Sequence, residues 1–174
     1  MENQKSSSTQ IMLNYGLILG FVGILINVAV FAMGQTYDPH WSVAVIGIGI
    51  TVVIIVLGIK KFKEGNEGYL SLGQAIKIGL GMALISAIVG VIYTFIFTNY
   101  IEPEYYTRMA EVQQQAILDR YPNFTDEQIE AANASIEKFS GPVMATAFAL
   151  IGSLFIGFII SLIGGLIMKK SKEE

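Results

Sequence analysis

The sequence predicts an all-α protein, a four-helix transmembrane bundle with an extracytoplasmic helical hairpin between spans three and four. Three observations carry this prediction: four long intervals without a charged residue, one polar segment of 41 residues, and an uneven distribution of lysine and arginine. Apolar residues make up 53% of the 174 residues and charged residues 14%, whereas charged residues are about 25% of an average globular domain. We expect one membrane domain covering residues 1–174.

Each of the four apolar intervals is long enough to cross a bilayer as a helix, because a helix rises about 1.5 Å per residue and the hydrocarbon core is about 30 Å thick. The intervals are 11–33, 41–59, 78–97 and 142–168. Two alternatives are buried helices of a soluble protein and, for the first interval, a cleaved signal peptide. The intervals hold 89 of 174 residues, which leaves too little polar chain to cover them. The first interval is also longer than a usual signal-peptide core.

The basic residues predict the orientation, because lysine and arginine concentrate on the cytoplasmic side of membrane proteins. With a cytoplasmic N-terminus, eight basic residues lie inside and three outside. The inner ones are Lys5, Lys60, Lys61, Lys63, Lys77, Lys169, Lys170 and Lys172, and the outer ones are Arg108, Arg120 and Lys138. We therefore predict a multi-pass membrane protein with both termini in the cytoplasm.

Small residues form a stripe along each predicted span, and such residues let membrane helices pack closely. The predicted packing residues are Gly16, Gly20, Gly23, Asn27, Gly47, Thr51, Gly58, Gly79, Ala83, Ser86, Gly90, Ser153, Gly157, Ser161 and Gly164. Spacings that alternate between three and four predict left-handed packing at about +20°. We expect the Asn27 amide to bond to a neighbouring helix. The alternative, a polar path along the stripes, is disfavoured because they contain no acid or base.

The polar segment 101–141 predicts two amphipathic helices outside the membrane. Pro103 suits a first helical position, and the apolar face of the first helix is predicted from residues at helical spacing, namely Tyr105, Met109, Val112 and Ala116. Thr125 and Gln128 predict a capping box for the second helix, whose expected apolar face consists of Ile129, Ala132, Ile136 and Phe139. The segment carries eight carboxylates against three basic side chains, which predicts a solvated acidic face rather than a calcium site.

The sequence contains few of the residues and motifs that catalytic sites use. Cysteine is absent, and His40 is the only histidine, beside Trp41 at a predicted membrane edge. No glycine-rich phosphate loop and no metal-ligand spacing occur, and there is no basic patch for nucleic acid. We therefore expect no catalytic residue, no metal and no cofactor, and we expect that the protein is not an enzyme.

The stretch 67–79, which reads EGYLSLGQAIKIG, leads into the third span and resembles the signature of a bacterial family of small membrane proteins known as domain of unknown function 4199. The resemblance extends to the four-span layout, the 102–138 excursion with its Tyr105-Tyr106 start, and the lysine-rich end. It implies a bacterial inner membrane and carries no activity or catalytic residues. It also implies a short interfacial helix at 71–77, with Gln74 and Lys77 facing lipid headgroups.

We expect a non-enzymatic interaction or accessory protein that contacts the lipid bilayer and binds a membrane or periplasmic partner through 101–141. The alternative is a small channel or carrier, as a monomer or an oligomer, with Asn14, Asn27 and Thr51 along the path. Asn14 and Asn27 are 13 residues apart, which places them on roughly opposite faces of a helix, so they cannot both line one straight path. An intramembrane enzyme acting on lipid would need a convergent polar pair that the sequence does not display.

Overall fold

A computed structural model describes residues 7–171 and is all-α, as the sequence predicts. Lys5 and Lys172, which contribute to the predicted orientation, lie outside this range. The helices are α1 (Ser8–Ala32), α2 (Trp41–Gly65), α3 (Leu72–Ile96), α4 (Tyr105–Arg120), α5 (Asp126–Phe139) and α6 (Pro142–Met168), and a π-helical segment, Phe97–Ile101, extends α3.

Four of these helices are long and apolar enough to cross a membrane: α1, α2, α3 with its π-helical extension, and α6. Three of them run beyond the predicted intervals, since α1 begins at Ser8, α2 continues to Gly65 and α3 begins at Leu72. Lysine is a good helix former, and its long stem lets the ammonium reach the headgroups from a membrane-embedded backbone. The charged residues therefore mark where the hydrocarbon ends and not where the helices end.

The outer surfaces of the long helices carry large apolar side chains. Leu25 of α1 is 67% exposed, Phe155 of α6 is 64% exposed, and Ile167 of α6 is 79% exposed. Contiguous apolar surface on this scale would be unstable in water and marks contact with lipid or protein. Together with the four apolar helices, it identifies a multi-pass membrane protein.

The chain divides into two compact units, of which the first contains the described parts of residues 1–90 and 150–174. Its core is an apolar cluster that includes Ile55, Ile59, Leu70 and Met82, all of them fully buried. These residues come from the C-terminal half of α2, the first half of α3 and the turn before α3. The first unit is thus most tightly packed where the C-terminal half of α2, the first half of α3 and the turn between them meet.

The second unit, residues 91–149, contains α4 and α5, which contact each other. The predicted capping box of α5 is confirmed: Gln128 donates its backbone N–H to the Thr125 hydroxyl at 3.3 Å, and Thr125 returns its own N–H to Gln128 Oε1 at 3.0 Å. Ile136 is buried, whereas Phe139 is 45% exposed. The capping box depends only on local spacing, which explains why the sequence was sufficient to predict it.

Two expectations for α4 are wrong. Pro103 lies in a turn, and the helix begins at Tyr105, whose N–H bonds to the Glu102 carbonyl. Of the predicted face, Tyr105 and Met109 are half-buried, as expected, whereas Val112 and Ala116 are exposed. Tyr106, Ala110 and Ile117 are half-buried in addition. Helix α4 carries apolar residues on more than one side, so the direction from which α5 approaches decides which side is covered.

Candidate functional site

A close helix contact in the first unit lies between α3 and α6, where small residues face each other at every fourth position. A Cβ added to Gly157 would lie 2.5 Å from the Ala83 Cβ, and one added to Gly79 would overlap Ser161. Ser153 also donates its hydroxyl to the Ala83 carbonyl at 3.2 Å. The spacing of four along both helices is the small-xxx-small pattern, which differs from the alternation of three and four used to predict left-handed packing.

Helix α1 approaches α3 closely through two of its predicted packing residues. A Cβ on Gly16 would lie 2.9 Å from the Met82 carbonyl oxygen, and one on Gly20 would lie 2.8 Å from the Val89 Cβ. Gly58 of α2 is similarly close to the side chain of Met82. Gly164 of α6 makes only ordinary contacts, the nearest at 3.6 Å.

Other predicted packing residues lie where the helices separate. No described atom lies within 4 Å of a Cβ added to Gly23, Gly47 or Gly90. These glycines lie on α1, α2 and α3, toward the ends opposite the apolar core. The helices of the first unit are therefore close together in one half and farther apart in the other.

A cavity of about 290 Å³ lies where the helices begin to separate. Helices α1, α2, α3 and α6 all contribute to its wall, which consists of Leu19, Val22, Gly23, Ile26, Gly47, Ile50, Thr51, Ile55, Ala83, Ser86, Ser153 and Ile156. Six of the predicted packing residues thus line a cavity, although Ala83 and Ser153 also take part in the contact between α3 and α6. Asn27 and Asn14 are exposed and do not line this cavity.

Two of the three hydroxyls in the cavity wall are engaged by backbone carbonyls. Thr51 donates to Gly47 O at 2.8 Å, and Ser153 donates to Ala83 O. A hydroxyl that bonds to the carbonyl four residues earlier presents its carbon atoms to the surroundings. The surface of the cavity is consequently mostly hydrocarbon.

The turn between α2 and α3 is held to the chain beyond α6. Leu70 and Lys170 exchange two backbone hydrogen bonds, of 3.0 and 2.9 Å, and the Lys63 ammonium donates to the Met168 carbonyl at 2.7 Å. The Lys170 ammonium lies 5.8 Å from the centre of the Tyr69 ring. These contacts fix the C-terminal end of α6 beside the start of α3.

Helix α3 begins with a capping box that the sequence analysis missed. The Gln74 side chain accepts the Ser71 N–H at 2.9 Å, and the Gln74 N–H donates to the Ser71 hydroxyl at 3.2 Å. The Gln74 side chain therefore has a local structural role in the cap of α3. Ser71 and Gln74 have the same spacing as Thr125 and Gln128, so the signal was present in the sequence.

The surface of the α4–α5 segment is acidic. Asp126, Glu130 and Glu137 are exposed and lie on one face of α5 because their spacings are four and seven. In α4, Arg108 pairs with Glu104 at 2.8 Å and with Glu102 at 3.5 Å. The exposed face of α5 that carries Asp126, Glu130 and Glu137 is here called the acidic stripe. It lies on a different side of α5 from the buried Ile136.

Aromatic side chains connect the π-helical segment to α4. The Phe97 ring lies 5.8 Å from that of Tyr105 in an edge-to-face arrangement, and the Tyr105 and Tyr106 rings are 5.2 Å apart. Burial raises the pKa of Tyr105, and the neighbouring Tyr106 raises it further. Burial also raises the pKa of Tyr106, opposed by a hydrogen bond with Thr98. Both phenols therefore stay neutral at physiological pH, and their role is packing.

A comparison over nearly the whole chain establishes the family. A family model described as "Protein of unknown function (DUF4199)" matches residues 14–170, nearly the whole chain. The chain belongs to the DUF4199 family. A search of curated proteins finds no match, and neither does a search of solved structures.

Residues of this DUF4199 protein that the sequence analysis omitted complete the α3–α6 contact. A Cβ on Gly165 would lie 2.7 Å from the Ala75 Cβ. Gly81 of α3 was also omitted, and it faces α1 instead, where an added Cβ would overlap the Met12 side chain. Ala75 is four residues before Gly79, and Gly165 is four residues after Ser161. Continuing the spacing of four in both directions would have found this pair.

The lone histidine of the DUF4199 chain is engaged at a helix end. His40 caps α2, where its Nδ1 accepts the Ser42 N–H at 3.4 Å and lies 2.9 Å from the Ser42 hydroxyl. Within residues 7–171, histidine, aspartate and glutamate form no group of three that could hold a metal ion. In the described part of the chain, His40 thus serves as a helix cap.

Substitution of Gly68, which lies in the stretch 67–79, is expected to destabilise the protein because the φ of Gly68 is +81°. Its N–H bonds to the Lys63 carbonyl at 2.9 Å and closes the end of α2. Gly68→Ala should lower stability by about 1–2 kcal/mol, because a Cβ is disfavoured in left-handed backbone. Gly73→Ala is the matched control, since Gly73 is helical with no described atom near an added Cβ. Thermal melts in detergent measure both, and an equal effect would contradict the prediction.

Proposed function

We propose that this protein is a non-enzymatic accessory protein of the bacterial inner membrane, with both termini in the cytoplasm and the α4–α5 segment outside. Its acidic stripe recognises a basic surface on a membrane or periplasmic protein. The observation that carries the proposal is the placement of Asp126, Glu130 and Glu137 on one exposed face of a capped helix.

A capped helix can hold a row of charged side chains in fixed positions for binding to a partner of opposite charge. The capping box at Thr125 and the contact with α4 hold α5 in place, so its carboxylates form a rigid row rather than a mobile tail. Ser140 adds a hydrogen bond to Gln113 of α4 at 3.1 Å. A preorganised row of like charges attracts a complementary partner and costs little further ordering on binding.

The transmembrane part supports an accessory role more than a catalytic one. Close helix approaches in it occur at glycines, such as Gly79 against Ser161 and Gly157 against Ala83, and such residues serve helix packing. His40 is committed to a helix cap, and the sequence contains no cysteine. Charged and polar side chains are concentrated in the α4–α5 segment.

A small channel or carrier remains the second candidate, and the cavity is the observation that favours it. Thr51 lies in the cavity wall, as the path hypothesis requires. Asn14 and Asn27 do not line it, and the Thr51 hydroxyl already bonds to Gly47. A path for a polar solute needs groups that replace its hydration shell, so the geometry favours the accessory role.

Crosslinking from the acidic stripe tests the proposed function. Ala134→Cys places a unique thiol on the exposed face of α5, four residues after Glu130. We expect a crosslinked protein in intact cells, with a yield that falls as salt is raised because the charges are screened. Combining Asp126→Asn, Glu130→Gln and Glu137→Gln should lower the yield about tenfold through the loss of three weak ion pairs.

The matched control removes charge from α4 through Glu111→Gln and Asp119→Asn, which are exposed acids outside the acidic stripe. This variant should retain most of the crosslinked product. Equal losses in both variants would show that net charge, and not the stripe, governs the contact. A thiol at Ala134 that a membrane-impermeant reagent cannot reach would overturn the outer placement.

A further inference from the structure

The cavity in the first unit is too large to be an ordinary packing defect. Protein interiors hold few voids larger than a water molecule, whereas this cavity measures about 290 Å³. An engineered apolar cavity of about 150 Å³ already binds benzene. The space between α1, α2, α3 and α6 is therefore large enough for part of a hydrophobic ligand.

The wall of the cavity selects against water. Six aliphatic side chains contribute to it, and none of its described residues is charged. Thr51 and Ser153 direct their hydroxyl protons to backbone carbonyls. A water molecule needs two to four polar partners to be held in a cavity, and this wall provides few.

The cavity is closed at one end and accessible at the other. Leu19, Ile55 and Ala83 are buried and form its floor, on the side of the apolar core. Gly23 is exposed, and Ile156 is 40% exposed, so the opposite end reaches the surface of α1 and α6. In a membrane that surface faces hydrocarbon, since neighbouring residues such as Phe21 and Phe155 are large, apolar and exposed.

We propose that this cavity binds one acyl chain of a membrane lipid, which enters past Gly23 and Ile156 and ends against Leu19 and Ile55. The glycines of the open half leave room for the chain. A linear hydrocarbon suits a wall of aliphatic side chains and requires no polar partner. This site is independent of the acidic stripe, so either proposal can fail without the other.

Photolabelling of the full chain in lipid vesicles tests the acyl-chain site. The probe is phosphatidylcholine with a diazirine at the end of one acyl chain, added in trace amounts to phosphatidylethanolamine vesicles. We expect labelled peptides that contain Val22, Ser86 or Ser153, at a higher yield than at Leu57, which is 47% exposed outside the cavity wall. Labelling that is no stronger than at Leu57 would overturn the proposal.

Filling the cavity provides the matched pair of variants. Gly47→Leu should lower labelling of the cavity wall about fivefold, because the new side chain occupies the volume that the acyl chain would fill. Gly49→Leu is the control on the same helix: neither glycine has a described atom near an added Cβ, but Gly49 does not line the cavity. Equal labelling of the two variants would contradict the site.

Two further measurements separate the other possible occupants and do not depend on the leucine variants. Ser86→Cys introduces a unique thiol into the cavity wall of a cysteine-free chain. We expect it to resist a small aqueous thiol reagent, and rapid modification would reveal a water-filled path instead. Disulfide-linked dimers of the same variant would show that a second copy fills the space, which would also overturn the acyl-chain site.

Discussion

Gly79→Leu is expected to prevent stable assembly of the first unit. A Cβ at this position would overlap Ser161 of α6, and the Gly157 carbonyl oxygen lies 3.4 Å from the same point. Neither neighbour is the end of a flexible side chain, so the two helices themselves must move apart. Overpacking a well-packed core costs about 1–3 kcal/mol and sometimes more, and a separation of α3 from α6 should reach the upper end of this range.

The effect of Gly79→Leu would extend along the whole α3–α6 contact. Separation of the backbones would also weaken the approach of Ala83 to Gly157 and the bond from Ser153 to the Ala83 carbonyl. We expect a large fall in the melting temperature and early loss of the monodisperse peak in size-exclusion chromatography. Gly79→Ala should produce a smaller loss in the same direction.

Gly90→Leu is the control for this prediction. It lies on the same helix and makes the same chemical change, but no described atom lies within 4 Å of an added Cβ. Its melting temperature should stay close to that of the native chain. If Gly79→Leu and Gly90→Leu melt alike, the close α3–α6 approach does not stabilise the bundle.

Leu70→Ala is expected to have the second large effect. Leu70 is fully buried in the apolar core although it lies in the turn between α2 and α3. Its backbone also exchanges two hydrogen bonds with Lys170. Truncation of a buried leucine to alanine costs about 2–5 kcal/mol, and here it would also loosen the attachment of the chain after α6.

Leu84→Ala provides the comparison, since Leu84 is 44% exposed on α3. Substitutions away from buried contacts usually change stability by less than about 0.5 kcal/mol. Melting curves and limited proteolysis after residue 168 should separate the two variants. Equal stability would show that the turn contributes nothing to the core.

The two predictions concern residues near one end of the first unit, where the helices are tightly packed. The proposed acyl-chain site lies where they separate, and the acidic stripe belongs to the second unit. On the two proposals made above, different parts of one chain have different roles: the tightly packed half holds the helices together, the open half takes up an acyl chain, and the charged segment binds a partner.

The features that depend on composition and local spacing could be predicted from the sequence alone. Long charge-free intervals predicted the four apolar helices, because a helix in lipid must satisfy its backbone internally and bury apolar side chains in hydrocarbon. Thr125 and Gln128 predicted the cap of α5, because a capping box involves residues only three positions apart. The stretch from Glu67 to Gly79 indicated the family, which the match over residues 14–170 established.

Which small residues contact another helix could be learned only from the tertiary structure. Gly79 and Gly90 look alike on the face of α3, yet one lies against α6 and the other has no described atom nearby. Val112 of α4 was assigned to the covered face and is exposed. The physical reason is the same in each case: the pattern on a helix shows which residues share a face, whereas the depth and direction at which another helix approaches determine whether that face meets protein or a cavity.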